Sequence, residues 1–198
     1  MPEHPLQKVL GASAWPRFFA EWVGKPHLPI IRLLYSERNQ ARFFATDEAE
    51  GPAVIFLDGD ILLRWLEPDN PDQIIVETAV DRLLLSNIDL CNTSQNLGEF
   101  WNVLTRPADR NGYGLSSAKA NRRAIAVESR LRLLPETLAV HQEWRRLLVD
   151  YGVSGVQVQD ARLVAAMSVH GVKRILTFNT KDFARYGQIE AVHPLQMV

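Results

Sequence analysis

The chain has 198 residues, 46% hydrophobic and 23% charged, with a formal net charge of -1. That length suits one full core plus an appendage, and the charge balance is that of a soluble globular protein rather than a strongly basic or disordered one. No apolar run approaches the ~18 residues of a spanning helix, and no basic start leads into an apolar core, so no membrane is expected and the expected location is cytoplasmic.

Cys91 is the only cysteine, which excludes an intramolecular disulfide and argues against a cysteine-based zinc site. Residues 1–52 hold six of the 11 prolines and one stretch of helical spacing, Trp15, Phe18, Phe19 and Trp22. They are read as an N-terminal extension, poorly defined or with one short helix. A partner-docking or sheet-capping helix is one reading; a loosely ordered extension, or a reading frame opened too far upstream of a start near Val54, is the other and is preferred. The domain proper is expected over residues 53–198.

Val54-Ile55-Phe56-Leu57 has no polar face, so it reads as a strand covered on both sides, and it ends in Asp58-Gly59-Asp60 before an apolar helix resumes. Ligands gather beyond the carboxyl ends of such strands. Taken alone, Asp58 serves equally well as a helix cap and Asp60 as a first-turn acid. Asn70-Pro71 supplies an N-cap and a first-turn proline for a second helix with the stripe Val76, Ala79, Val80, Leu83 and Leu84. A short strand over Leu90 to Thr93 is followed by Ser94 as the cap of a third helix, whose buried stripe is Leu97, Phe100, Trp101 and Leu104. Glu99 lies about 200° around from Leu97, off that stripe but near the strand end.

Arg106-Pro107 stops this helix, and Ser116 or Ser117 caps the next. From Thr105 to Arg146 nine basic residues face four acidic ones, most of the basic ones arginine, among them Arg106, Arg122 and Arg123. Arginine's planar fork suits phosphate, while an ordinary charged helix surface explains the run about as well. Thr137 introduces a helix with the stripe Val140, Trp144, Leu147, Leu148 and Tyr151, stopped by Gly152. Asp160 opens a helix rich in small residues that ends near Gly171. Val172 to Phe178 reads as a third strand leading to Asn179 and Asp182, and Ile189 to Val192 as a last strand at or near the edge.

On a parallel sheet these strand ends and helix starts open on one rim, which would gather Asp58, Asp60, Glu99, Asp160 and Asp182. Clustered carboxylates repel one another unless a cation intervenes, and oxygen-only ligation suits Mg2+ or Mn2+. Such a site can activate water for displacement at phosphorus, and a neighbouring arginine surface would hold the polyanion.

Four segments carry a resemblance: Phe56 to Leu63, Asn96 to Pro107, Asp160 to Ala166, and Leu176 to Phe183. From about Val54 onward the chain resembles the PIN domain, in particular VapC-type toxin ribonucleases. The resemblance implies a three-layer α/β/α fold with a mainly parallel central sheet. It implies a metal-dependent endoribonuclease in which Asp58, Glu99 and Asp160 match the acidic triad and metal ligands. Asp182 and Asn179 match a fourth, supporting motif. Asp60 departs from the family's usual asparagine or serine, and Gln159 stands where histidine is common. RNA is the expected substrate, a cognate antitoxin protein and a homodimer the expected partners. Two alternatives stand beside it: a catalytically silent PIN module binding RNA or protein, and a haloacid-dehalogenase-like phosphatase with Asp58 as nucleophile and Asp60 as general acid.

Overall fold

A computed structural model describes residues 53–67 and 70–197 of the chain. The extension, with the helix expected from Trp15 to Trp22, lies outside the described residues. Five parallel strands form one sheet in the order β3-β2-β1-β4-β5. They are β1 (Val54–Leu57), β2 (Asp89–Thr93), β3 (Arg132–Leu134), β4 (Arg174–Leu176) and β5 (Glu190–Val192).

β1 lies in the middle because its side chains are apolar on both faces. Ile55 and Leu57 point into one core with Leu90, Phe100, Leu104 and Val127, while Phe56 points into the other with Cys91, Val164, Ile175 and Phe183. The helices divide accordingly. On the first face lie α1 (Gly59–Trp65), α2 (Gln73–Leu85), α3 (Ser94–Thr105) and α4 (Ser117–Glu128); on the second, α5 (Leu138–Asp150), α6 (Gln157–Val169) and α7 (Thr180–Phe183). The expected three-layer α/β/α architecture is therefore the one observed.

The chain winds from β1 outward through β2 to β3, then returns to place β4 on the other side of β1. The split between β1 and β4 is a topological switch point, where a parallel sheet leaves a crevice beyond its carboxyl ends. Asp58 stands at that split, its N–H donating to the Leu176 carbonyl at 3.1 Å.

Several element boundaries differ from expectation. β3 has no sequence counterpart above: it is three residues long, and only Leu134 of it is buried, so it carries no periodicity to read. Asn70 is not an N-cap. Its Oδ1 accepts from Asp72 N at 2.9 Å in a turn, and α2 begins only at Gln73. Thr93, not Ser94, caps α3, through a reciprocal box with Asn96. β4 spans only Arg174–Leu176, because Thr177 turns its hydroxyl toward Asp58. Asp160 lies in the first turn of α6, not at its cap, which is Val156. Ser116, Thr137 and Gly152 take the capping and stop positions expected of them, Gly152 with φ +56°.

Candidate active site at the carboxyl edge of the sheet

Asp58 is reached first because β1 ends on it. With extended backbone it caps α1, Oδ1 accepting from Gly59 N at 2.7 Å, while Oδ2 accepts from Thr177 Oγ1 at 2.7 Å. The capping role expected of Asp58 is therefore met, and the same carboxylate lies within reach of the charges of Glu99 and Asp182. Each of its oxygens keeps a lone pair for another partner. Burial pushes its pKa up, the bonds from Thr177 and Gly59 oppose this, and the charges of Glu99 and Asp182 add to the rise.

Asp160 approaches from the start of α6. Burial, then the charges of Asp58, Asp182 and Glu99, lift it to about 6, with Arg185 opposing. Glu99 is exposed on α3, its Oε1 held by Gln95 Nε2 at 2.9 Å, and Gln95 also donates to the Gln159 carbonyl at 3.2 Å. Asp182 lies exposed in the single turn of α7. The charges of Glu99 and Asp182 thus act on both Asp58 and Asp160, and the four residues come from four separate segments of the chain.

Asp60 has a different task. Its Oδ2 accepts from Phe178 N at 3.1 Å and from Asn179 Nδ2 at 3.5 Å, and Arg64 stands 3.7 Å away. It ties the start of α1 to the turn after β4, which explains why an acid is accommodated at this position. Burial, then Asp58, raises it to about 7 against the pull of Arg64, and its Oδ1 is buried with no hydrogen-bond partner among the described residues. Arg64 also lies over the Phe178 ring, 4.4 Å from its centroid.

The basic run is less uniform than its sequence suggested. Arg123 pairs with Glu67 at 2.8 Å, Arg130 is buried against the Ala126 carbonyl, and Arg146 is held between Glu143 and Asp150. Arg106 donates to the Asn111 carbonyl at 3.0 Å, inside a loop so tight that a Cβ on Gly112 would stand 2.1 Å from the Arg106 carbonyl oxygen. Arg122 is exposed on α4.

Sequence reasoning missed Thr177, fully buried, which donates to Asp58 and accepts from Asn179 N at 3.0 Å. The signal available was a lone hydroxyl residue at the end of an apolar strand.

Among the described residues no group of three or more His, Cys, Asp or Glu side chains is placed to hold a metal ion, the expected ligands Asp58, Glu99 and Asp160 included. The donor set still fits a hard divalent cation. Mg2+ is held through one or two carboxylates with water and substrate oxygens filling the remainder, and Asp58 and Asp160, raised first by burial and then by neighbouring acids, are carboxylates whose ionised forms a cation would stabilise. Among the described residues no helix is long and apolar enough to cross a membrane.

The chain matches the PIN domain family over residues 55–189. No curated protein matches it. Solved structures with similar folds include VapBC2 from Rickettsia felis bound to a promoter DNA fragment, at 16% identity and TM-score 0.55, covering 71% of this chain and 98% of that one. VapBC-1 from nontypeable Haemophilus influenzae is 15% identical with TM-score 0.52, covering 72% and 98%. VapC20 from Mycobacterium tuberculosis, a toxin that cleaves the sarcin-ricin loop, is 21% identical with TM-score 0.51, covering 67% and 95%.

Proposed function

Because the chain belongs to the PIN-domain family, we propose that it is a metal-dependent endoribonuclease that hydrolyses RNA phosphodiester bonds as the toxin of a type II toxin-antitoxin pair. The observation that carries this reading is the place of Asp58 at the split between β1 and β4, its two oxygens held by Gly59 N and Thr177 Oγ1 and the charges of Glu99, Asp160 and Asp182 near it. The phosphatase alternative draws no support from the family match. RNA as substrate and a cognate antitoxin as partner follow the toxins whose fold this chain shares; a homodimer belongs to the same reading.

In this mechanism Asp58 and Asp160 would be the principal ligands of Mg2+ or Mn2+, Glu99 would ligate the ion or orient water, and Asp182 would complete the acidic set. Such a cation would supply Lewis acidity and charge neutralisation for an in-line displacement at phosphorus. Gly59 N and Thr177 Oγ1 fix the Asp58 carboxylate by one bond to each oxygen, so its remaining lone pairs are presented in a set direction. Asp60 and Asn179 brace the turn that carries Thr177. Exposed Arg122 binds backbone phosphate, with Arg106 and Arg123 shaping the surface beside it.

Cleavage of a mixed RNA pool in Mg2+ or Mn2+ tests the reading. Asp58→Asn removes one charge with little change of shape, so cleavage should fall by a factor of about 10^2 or more while the fold survives. Activity that persists in chelator or in the variant overturns the metal mechanism, and a wild-type protein that cuts no RNA overturns the nuclease reading.

A further inference from the structure

Asn96 lies in the first turn of α3, one turn before Glu99, and is fully buried. Its amide orientation is fixed by chemistry. The Thr93 N–H can only donate, so the atom it meets at 3.3 Å is the acceptor Oδ1, which also accepts from Thr93 Oγ1 at 2.6 Å. The other end, Nδ2, is a buried donor with no partner among the described residues. The reciprocal box with Thr93 does not explain it, because Asp at this third helical position would offer Thr93 N the same acceptor oxygen without burying an unpaired N–H.

Nδ2 faces the Asp58-Gly59 turn. A Cβ on Gly59 would stand 3.9 Å from Asn96 Nδ2 and 3.7 Å from Glu99 Oε2, so the donor and the carboxylate oxygen flank one point that glycine leaves open. The other oxygen of Glu99 is already held by Gln95.

We propose that Asn96 is a positioning residue for Glu99: its Nδ2, unpaired among the described residues, captures Oε2 when the exposed carboxylate swings across Gly59 toward Asp58 and Asp160. With Gln95 on one oxygen and Asn96 on the other, an exposed glutamate loses its rotamer freedom without a new charge entering the acidic cluster. An acid at position 96 would cap equally well but would add to the repulsion that already raises Asp58. The inference rests on Glu99 belonging to the working acidic set.

Asn96→Asp keeps the capping oxygen and turns the other end from donor to acceptor. The full chain should then melt about 4 °C lower. Adding Glu99→Gln, which restores a donor opposite the new carboxylate, should recover most of that loss, whereas Glu99→Gln alone should not stabilise. Additive melting shifts overturn the proposal. In RNA cleavage Asn96→Asp should lower kcat about 10-fold at unchanged KM, and an unchanged kcat also overturns it. Should Asn96→Asp not fold, the Asn96 side-chain amide proton of the wild type, followed by NMR, should move upfield in Glu99→Gln; an unmoved resonance refutes the contact. The melting and NMR arms need no RNA, so a protein that cuts none would refute the nuclease reading and leave this contact separately testable.

Discussion

Asp60 is a carboxylate that the fold holds well above its ordinary range, and the consequence is a stability that depends on pH. Burial and Asp58 lift it from 3.8 to about 7, so the folded state takes up a proton that the unfolded state releases. The stabilisation is fully present below about 3.8 and is lost as pH rises through about 7. Asp160, lifted to about 6, has the same sign. The metal-free protein should therefore lose on the order of a few kcal/mol between pH 5 and pH 8, measured by chemical denaturation. Asp60→Asn should flatten that profile, since Asn keeps an oxygen for Phe178 N and carries no charge. Mg2+ should oppose the loss at pH 8, where the carboxylates are ionised. A variant with the wild-type slope would place the titration elsewhere.

At the scale of elements, α4 sets apart two adjacent arginines that sequence treats alike. Arg123 turns inward to Glu67, both side chains less than one third exposed at 28% and 14%, while Arg122 faces solvent. Arg122→Glu should weaken RNA binding and lower the salt dependence of log Kd by roughly one unit of slope, leaving the melting temperature nearly unchanged. Arg123→Glu should instead cost about 1–2 kcal/mol of stability by opposing two carboxylates. Equal effects in titrations and melts would remove the distinction. The same contrast shows what was legible. Apolar stripes have periodicity, so the longer helices and four of the five strands after residue 52 could be read, while the four-residue α7 was too short to show a stripe. Partner choice has no periodicity. That Arg123 meets Glu67, or that Thr93 rather than Ser94 meets Asn96, depends on distances closed only by the fold. β3 escaped because an edge strand with one buried residue has no pattern to show.

For the whole molecule, the placement of β1 decides what the chain needs in order to fold. β1 is the middle of the five strands, begins at Val54, and is joined to β2 from Ala53 onward, whose carbonyl accepts from Asp89 N at 2.9 Å. Each of these five strands and each acid of the candidate site lies after residue 52. Among the described residues Phe56, Phe100, Phe183 and their neighbours fill the two cores on either face. A chain starting at Ala53 should accordingly melt in one cooperative transition and show the same Mn2+ affinity as is measured for the full chain. The opposing consideration is the stripe of Trp15, Phe18, Phe19 and Trp22, since each large apolar side chain buried fully contributes ~1.5–3 kcal/mol. Were that stripe part of the same core, truncation would remove several such contributions from a domain whose net stability is only ~5–15 kcal/mol. Calorimetry of the truncated chain decides between them: a sharp transition with Mn2+ affinity retained makes residues 53–198 an autonomous nuclease-fold domain, and aggregation or a broad, non-cooperative melt makes the extension part of its fold.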